Sequence, residues 1–83
     1  MQFSYKTRGT CSQTISFDIT DGVVSNVTFM GGCNGNLQGI GKLVEGMEID
    51  EVIRRVDGIH CGPKPTSCPD QLATALKQAK EKL

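Results

Sequence analysis

Three stretches of alternating apolar and polar residues follow one another at the front of the chain, and they restrict it to folds built on a small antiparallel sheet. Residues 2–8 put Phe3, Tyr5 and Thr7 on one side. Residues 13–20 turn Ile15, Phe17 and Ile19 inward and Ser16, Asp18 and Thr20 outward. Residues 23–30 offer Val23, Val27 and Phe29 on one face, with Ser25 as a polar exception. Asp21-Gly22 marks the turn between the last two strands. A two-residue loop there pairs Ile19 with Val24 and sends Val23, Val27 and Phe29 to the wrong face. A three-residue loop, Thr20-Asp21-Gly22, pairs Ile19 with Val23 and Ile15 with Val27, with Gly22 at the left-handed position of a type I turn plus G1 bulge. The three-residue loop is therefore the predicted one.

The pattern then changes to helical spacing. Leu37, Ile40, Val44 and Met47 predict a helix from about Asn36 that Gly46 ends. Asp50 is the expected N-cap of a short helix that buries Val52, Ile53 and Val56 and stops at Gly58. The segment 59–67, with Pro63 and Pro65, reads as a loop. Leu72, Ala75, Leu76, Ala79 and Leu83 form the apolar stripe of a last helix, with Lys77, Lys80 and Lys82 towards the end where cations favour the helix dipole. Pro69 suits the first helical position, so Cys68 is the expected N-cap, with Gln71 placed to close a capping box. The predicted fold is α+β: a three-stranded antiparallel meander packed by two to three helices, within one domain spanning 1–83.

Four cysteines, Cys11, Cys33, Cys61 and Cys68, carry the chemistry. In an up-down-up meander, Cys11 lies in the first connection and Cys33 just past the third strand, so topology alone puts both at one end of the sheet. Cys61 and Cys68 flank the loop into the last helix. If that helix starts at the same end, all four thiols meet. At the start of a helix, unpaired N–H groups and the positive dipole end favour a thiolate at Cys68. Four thiolates make a chemically sensible zinc or iron–sulfur site, and the sequence leaves the metal undecided. The chain has no C-x-x-C, so zinc-finger, rubredoxin-like and thioredoxin readings lack their motif. His60, beside Cys61, is an alternative ligand, a tuner of a cluster or a proton shuttle. Each cysteine also has a plain reading as core packing, and His60 as a loop histidine. Gly31, Gly32 and Gly35 fit a tight turn around Cys33 better than a phosphate loop, because the P-loop lysine and the spaced dinucleotide glycines are missing. Gly39 and Gly41 inside a helical pattern point either to a close approach of helix and sheet or to an irregular segment.

Composition narrows the setting. In 83 residues there is no Trp, one Tyr and three Phe, so the core is aliphatic. An apolar core of this size supplies a net stability of only about 3–5 kcal/mol, which favours an added staple. The formal net charge of zero argues against steering to nucleic acid or to a membrane. The N-terminus lacks the apolar region of a signal peptide, and no apolar run reaches the ~20 residues that span a bilayer. A cytoplasmic location is expected, where structural disulfides are disfavoured.

Thr66-Ser67-Cys68-Pro69-Asp70 spells the motif that names the TSCPD domain. Gly31-Gly32-Cys33-Asn34-Gly35-Asn36-Leu37, Cys61-Gly62 and Gln71-Leu72-Ala73 also resemble that family's pattern, so the likeness covers nearly the whole chain and all four cysteines. TSCPD domains occur as small four-cysteine proteins and as C-terminal modules of adenosylcobalamin-dependent ribonucleotide reductases. The resemblance implies an accessory to ribonucleotide reduction, with a ribonucleoside-diphosphate reductase or another protein as partner. A chain of this size has no room for a reductase barrel, so the resemblance does not make it a reductase alone. The order of strands, cysteines and helices is also similar to NifU/IscU-type iron–sulfur scaffolds. Cys11 and Cys33 match that type's first two cysteines, and Cys61 or Cys68 its third. Scaffolds of that type carry an Asp two residues after the first cysteine; Gln13 stands here, and a fourth cysteine is present.

Three functions follow from these residues. The first is a metal-binding accessory module that coordinates zinc or an iron–sulfur cluster through Cys11, Cys33, Cys61 and Cys68. The second is a thiol protein that passes electrons or sulfur to a ribonucleoside-diphosphate reductase, with Cys61 and Cys68 as the expected reactive pair. The third is an interaction domain with incidental thiols.

Overall fold

A computed structural model describes residues 1–8, 12–31 and 34–83. Three strands, β1 (Gln2–Lys6), β2 (Ser12–Thr20) and β3 (Val23–Gly31), form one antiparallel sheet in the order β1-β2-β3. Three helices follow: α1 (Asn34–Val44), α2 (Ile49–Val56) and α3 (Cys68–Glu81). The α+β meander expected from the alternation is the observed architecture.

The core forms on one face of the sheet. Ile15, Phe17 and Ile19 of β2 are buried, and so are Leu72, Ala75, Leu76 and Ala79 of α3 and Ile49 and Val52 of α2. Phe3 lies opposite Phe17, and their rings stack with centroids 5.6 Å apart. Such aromatic pairs add about 0.5–1.5 kcal/mol beyond the area they bury. The opposite face carries Ser4, Ser16, Asp18 and Thr28, so the alternation in sequence is the alternation of core and solvent.

The hairpin between β2 and β3 corrects the predicted loop. Thr20 pairs with Val23 and Ile19 with Val24, so the loop has two residues, Asp21 and Gly22. Both have positive φ, 53° and 77°, as a type I′ turn requires. Val24, not Val23, enters the core. The facing conflict is resolved further along, at a β-bulge. Asp18 pairs with Ser25 but Ser16 with Thr28, so Asn26 and Val27 together oppose Phe17. Asn26 takes φ 54°, a conformation that asparagine tolerates better than most residues, and its Nδ2 donates to Asp18 Oδ2 at 2.9 Å. The extra residue returns Val27 and Phe29 to the core side, with Phe29 opposite Ile15. One inserted residue thus does what the longer loop was expected to do.

The outer edge of β3 is covered in two ways. Near the hairpin, Val24 exchanges backbone hydrogen bonds with Gly46 and Met47, and Val23 bridges to Glu48. Beyond it, the Asn26 N–H donates to Glu45 Oε1, and α1 packs along the strand. A Cβ built on Gly41 would stand 2.8 Å from the Val27 carbonyl oxygen, so glycine is what lets α1 approach this closely. Gly39 faces open space, so only one of the two helical glycines has that role.

Two expected helix caps also move. The N-cap of α2 is Glu48, which makes no side-chain cap bond; Asp50 lies in the first turn, ion-paired with Lys80 of α3. The N-cap of α3 is Ser67, not Cys68. A hydroxyl oxygen is a better acceptor than a thiol, and that preference outweighs the pre-proline bias at Cys68. Gly46 and Gly58 follow α1 and α2 at φ 79° and 82°.

Replacing Gly41 with Ala should destabilise the protein by about 1–3 kcal/mol in chemical denaturation, because helix and strand must separate. Gly39→Ala should instead be neutral or stabilise by up to about 1 kcal/mol, through helix propensity alone.

Candidate functional site

The end of β1, the start of β2 and the end of β3 lie together. Lys6 pairs with Thr14, and Ser12 pairs with Gly31. Helix α3 begins at this same end. The side-chain oxygen Oε1 of Gln71, in its first turn, accepts the Arg8 N–H at 3.0 Å and the Tyr5 hydroxyl at 3.3 Å.

Four of the five motif residues build the start of α3. Ser67 Oγ accepts the Asp70 N–H at 3.2 Å, which caps the helix, and donates to the Ile59 carbonyl at 2.6 Å, which holds the incoming loop. Pro69 occupies the first turn, where no N–H is needed. Asp70 accepts twice: from Thr66 Oγ1 at Oδ2, 2.5 Å, and from the Gly58 N–H at Oδ1, 2.7 Å. Thr66 Oγ1 also accepts from Gln71 Nε2 at 3.1 Å. Its single proton goes to the short carboxylate contact rather than to the Ser67 carbonyl at 3.5 Å. A directed chain results. Arg8 and Tyr5 donate to Gln71, Gln71 to Thr66, and Thr66 to Asp70.

The middle of this chain is buried, while Arg8 at one end is exposed and Tyr5 and Asp70 are half-buried. Thr66 is 8 % exposed, Ser67 4 % and Gln71 8 %, and no buried side-chain nitrogen or oxygen among the described residues lacks a partner. Asp70 stays below the usual carboxyl range, first because Thr66 donates to it, then because of the Gly58 N–H and the nearby charges of His60 and Lys77; its partial burial opposes the shift.

The network also sets the places of Cys61 and Cys68. Cys68 is the first helical residue and is 7 % exposed. Cys61 is exposed, in a turn closed by Lys64 N–H to Cys61 O at 3.1 Å, with Gly62 at φ 58°. The Cys61 N–H donates to the Thr66 carbonyl at 3.1 Å, so the loop closes at its neck two residues before Cys68. His60 is exposed and adds its charge to the field at Asp70. Cys11 and Cys33 lie outside the described residues. Their described neighbours are at this end: Ser12, next to Cys11, pairs with Gly31, two residues before Cys33. Among the described residues, no group of three or more His, Cys, Asp or Glu is arranged to hold a metal ion.

Sequence reasoning missed the work of Thr66, Ser67 and Asp70. The Ser67-x-x-Asp70 spacing was a readable capping signal. The bond from Thr66 to Gln71 and on to β1 depends on tertiary packing and left no local mark. Elsewhere, a groove of about 370 Å³ between β3 and α1 is lined by Val27, Phe29, Leu37, Gly41 and polar neighbours. No helix among the described residues is long and apolar enough to cross a membrane.

Because its folded pKa is lowered, Asp70 contributes stability fully above its unfolded value near 3.8, and that contribution fades as pH falls through the folded pKa. Asp70→Asn should cost about 1–3 kcal/mol at pH 7. The difference between the two proteins in urea unfolding should shrink steadily below pH 4. A difference that stays constant to the lowest accessible pH would place the carboxylate outside the network.

A search of curated proteins and a search of solved structures each return no match. The model of one family, the TSCPD domain, matches residues 3–80, from β1 to the last turns of α3. Extent of match and motif agree: this four-cysteine chain belongs to the TSCPD domain family.

Proposed function

We propose that the domain is a small metal-binding module in which Cys11, Cys33, Cys61 and Cys68 supply a four-thiolate centre for zinc or an iron–sulfur cluster. The observation that carries this reading is the Arg8 N–H bond to Gln71. It sets the start of α3, and with it Cys68 and Cys61, against the sheet end where Ser12 pairs with Gly31. Ser12 and Gly31, which pair at that end, stand one residue after Cys11 and two before Cys33 in sequence, Cys68 stands three before Gln71, and the Cys61 N–H is held by the Thr66 carbonyl.

The donor set fits the group. Thiolates suit zinc, as a tetrahedral site near 2.3 Å Zn–S, and iron–sulfur clusters equally. Of the two described cysteines, Cys68 is buried and Cys61 is exposed. When bound by four thiolates, zinc has no open position for substrate and acts as a structural staple. The protein's own part is to fix the ligand backbones: the Thr66 carbonyl holds Cys61, and the Ser67 cap holds the turn that carries Cys68. His60, exposed and beside the Asp70 charge, remains outside the ligand set in this reading.

From family membership we extend the proposal to an accessory role in ribonucleotide reduction in the cytoplasm, with a reductase as protein partner. The likeness in cysteine order to NifU/IscU-type scaffolds supports cluster binding as one form of the centre.

Elemental analysis with an ultraviolet–visible spectrum on anaerobically purified protein tests the centre. Stoichiometric zinc without colour, or iron and sulfide with visible absorption, is the expected outcome. Reduced, fully folded, metal-free protein from metal-replete cells would contradict the proposal.

A further inference from the structure

The two edges of the sheet differ. The β3 edge is covered by α1 and by the segment 46–48. The β1 edge has few of the usual protections: its residues include no proline, pair with β2 without a bulge and carry one charge, Lys6. Met1 and Ile19 exchange both backbone hydrogen bonds, each 2.9 Å long, so Phe3 with Phe17 and Tyr5 with Ile15 are the next bonded pairs. The N–H and C=O groups of Gln2, Ser4 and Lys6 therefore point away from β2. These three residues are exposed, and among the described residues no other strand lies beside them. Phe3 and Tyr5, on the core side of the same edge, are only half-buried.

We propose that this edge is a dimerisation surface, on which β1 of a second copy of the chain pairs antiparallel about a two-fold axis at Ser4 and joins two sheets into one. In that register Gln2 faces Lys6 of the second copy, and Ser4 faces Ser4. Each facing pair exchanges two backbone bonds, so every outward N–H and C=O of the three residues is used. On the core side Phe3 falls opposite Tyr5 of the second copy, an aromatic cross-strand pair. On the solvent side the charges match. Gln2 pairs with Asp18 within one copy, so Lys6 of the other copy lies in the same row as Asp18, two strands away. Two strand spacings are about 9–10 Å between Cα atoms, a span that a lysine and an aspartate side chain bridge. A shift of two residues either way takes Lys6 out of the Asp18 row. A foreign strand satisfies the backbone alone, whereas a second β1 brings the aromatic and charge matches by symmetry. None of these contacts involves a cysteine.

Sedimentation equilibrium of the full chain, thiols kept reduced, tests the proposal over about 10 μM to 1 mM, the range suited to a contact smaller than a standard interface. The average mass should rise from one chain towards two, and amide exchange at Gln2, Ser4 and Lys6 should slow as concentration rises. Ser4→Pro removes an outward N–H without touching the pairing with β2, a change that edge strands accept. It should weaken association by about 10-fold or more. Ser4→Lys sets like charges against each other at the axis, at an exposed position, and should do the same if the proline variant does not fold. Leu43→Ser removes an exposed apolar side chain of α1 and should leave the dimer unchanged. A wild type that stays monomeric throughout overturns the proposal and leaves the edge to a strand of another protein. A dimer that survives the Ser4 substitutions, or that folded Leu43→Ser protein fails to form, overturns it as well.

Discussion

A buried carboxamide must find several hydrogen-bond partners, and at Gln71 three partners come from two distant places in the chain, the end of β1 and the loop before α3. Leaving one such group without a partner costs about 1–3 kcal/mol, a large part of what a core of this size supplies. The bond to Arg8 and Tyr5 sets the helix against β1, and the bond to Thr66 sets the loop against the helix. Asp70 then ties the same loop back to Gly58 at the end of α2. Helices α2 and α3 pack closely, and the ion pairs Lys77–Asp57 and Lys80–Asp50 join them at the surface, where such pairs contribute little. The polar knot under Thr66, rather than the surface charges, determines where α3 begins.

The motif looks different once its hydrogen bonds are known. Thr66 relays, Ser67 caps and Asp70 anchors, while Pro69 occupies a turn that needs no donor. These residues form a frame around Cys68. A sequence signature that suggests a reactive patch is, for four of its five letters, a device for starting a helix at one particular place. The one motif residue left outside this frame is Cys68, which begins the helix that the other four set in place.

Much of the fold was legible because period-two and helical spacing record which side of an element meets the core. Ile15, Phe17 and Ile19 face inward as alternation requires, and the stripe of α3 from Leu72 to Ala79 is buried as its spacing requires. The hairpin was misread because a bulge and a longer loop solve the same facing problem. The clue was Asn26, a residue suited to positive φ in the middle of a strand. The caps moved for a simpler reason: Ser67 offers a hydroxyl where Cys68 offers a thiol. At the candidate site, the shared end of β1, β2 and β3 follows from meander topology. The docking of α3 at that end does not, because it depends on Gln71 meeting Arg8 across 63 positions of sequence.

The central claim is that one centre draws on all four thiols. X-ray absorption at the edge of the metal that the purified protein carries reads its first shell directly. The account predicts sulfur neighbours only, at about 2.3 Å for four-coordinate zinc. Nitrogen or oxygen ligands in that shell would contradict it.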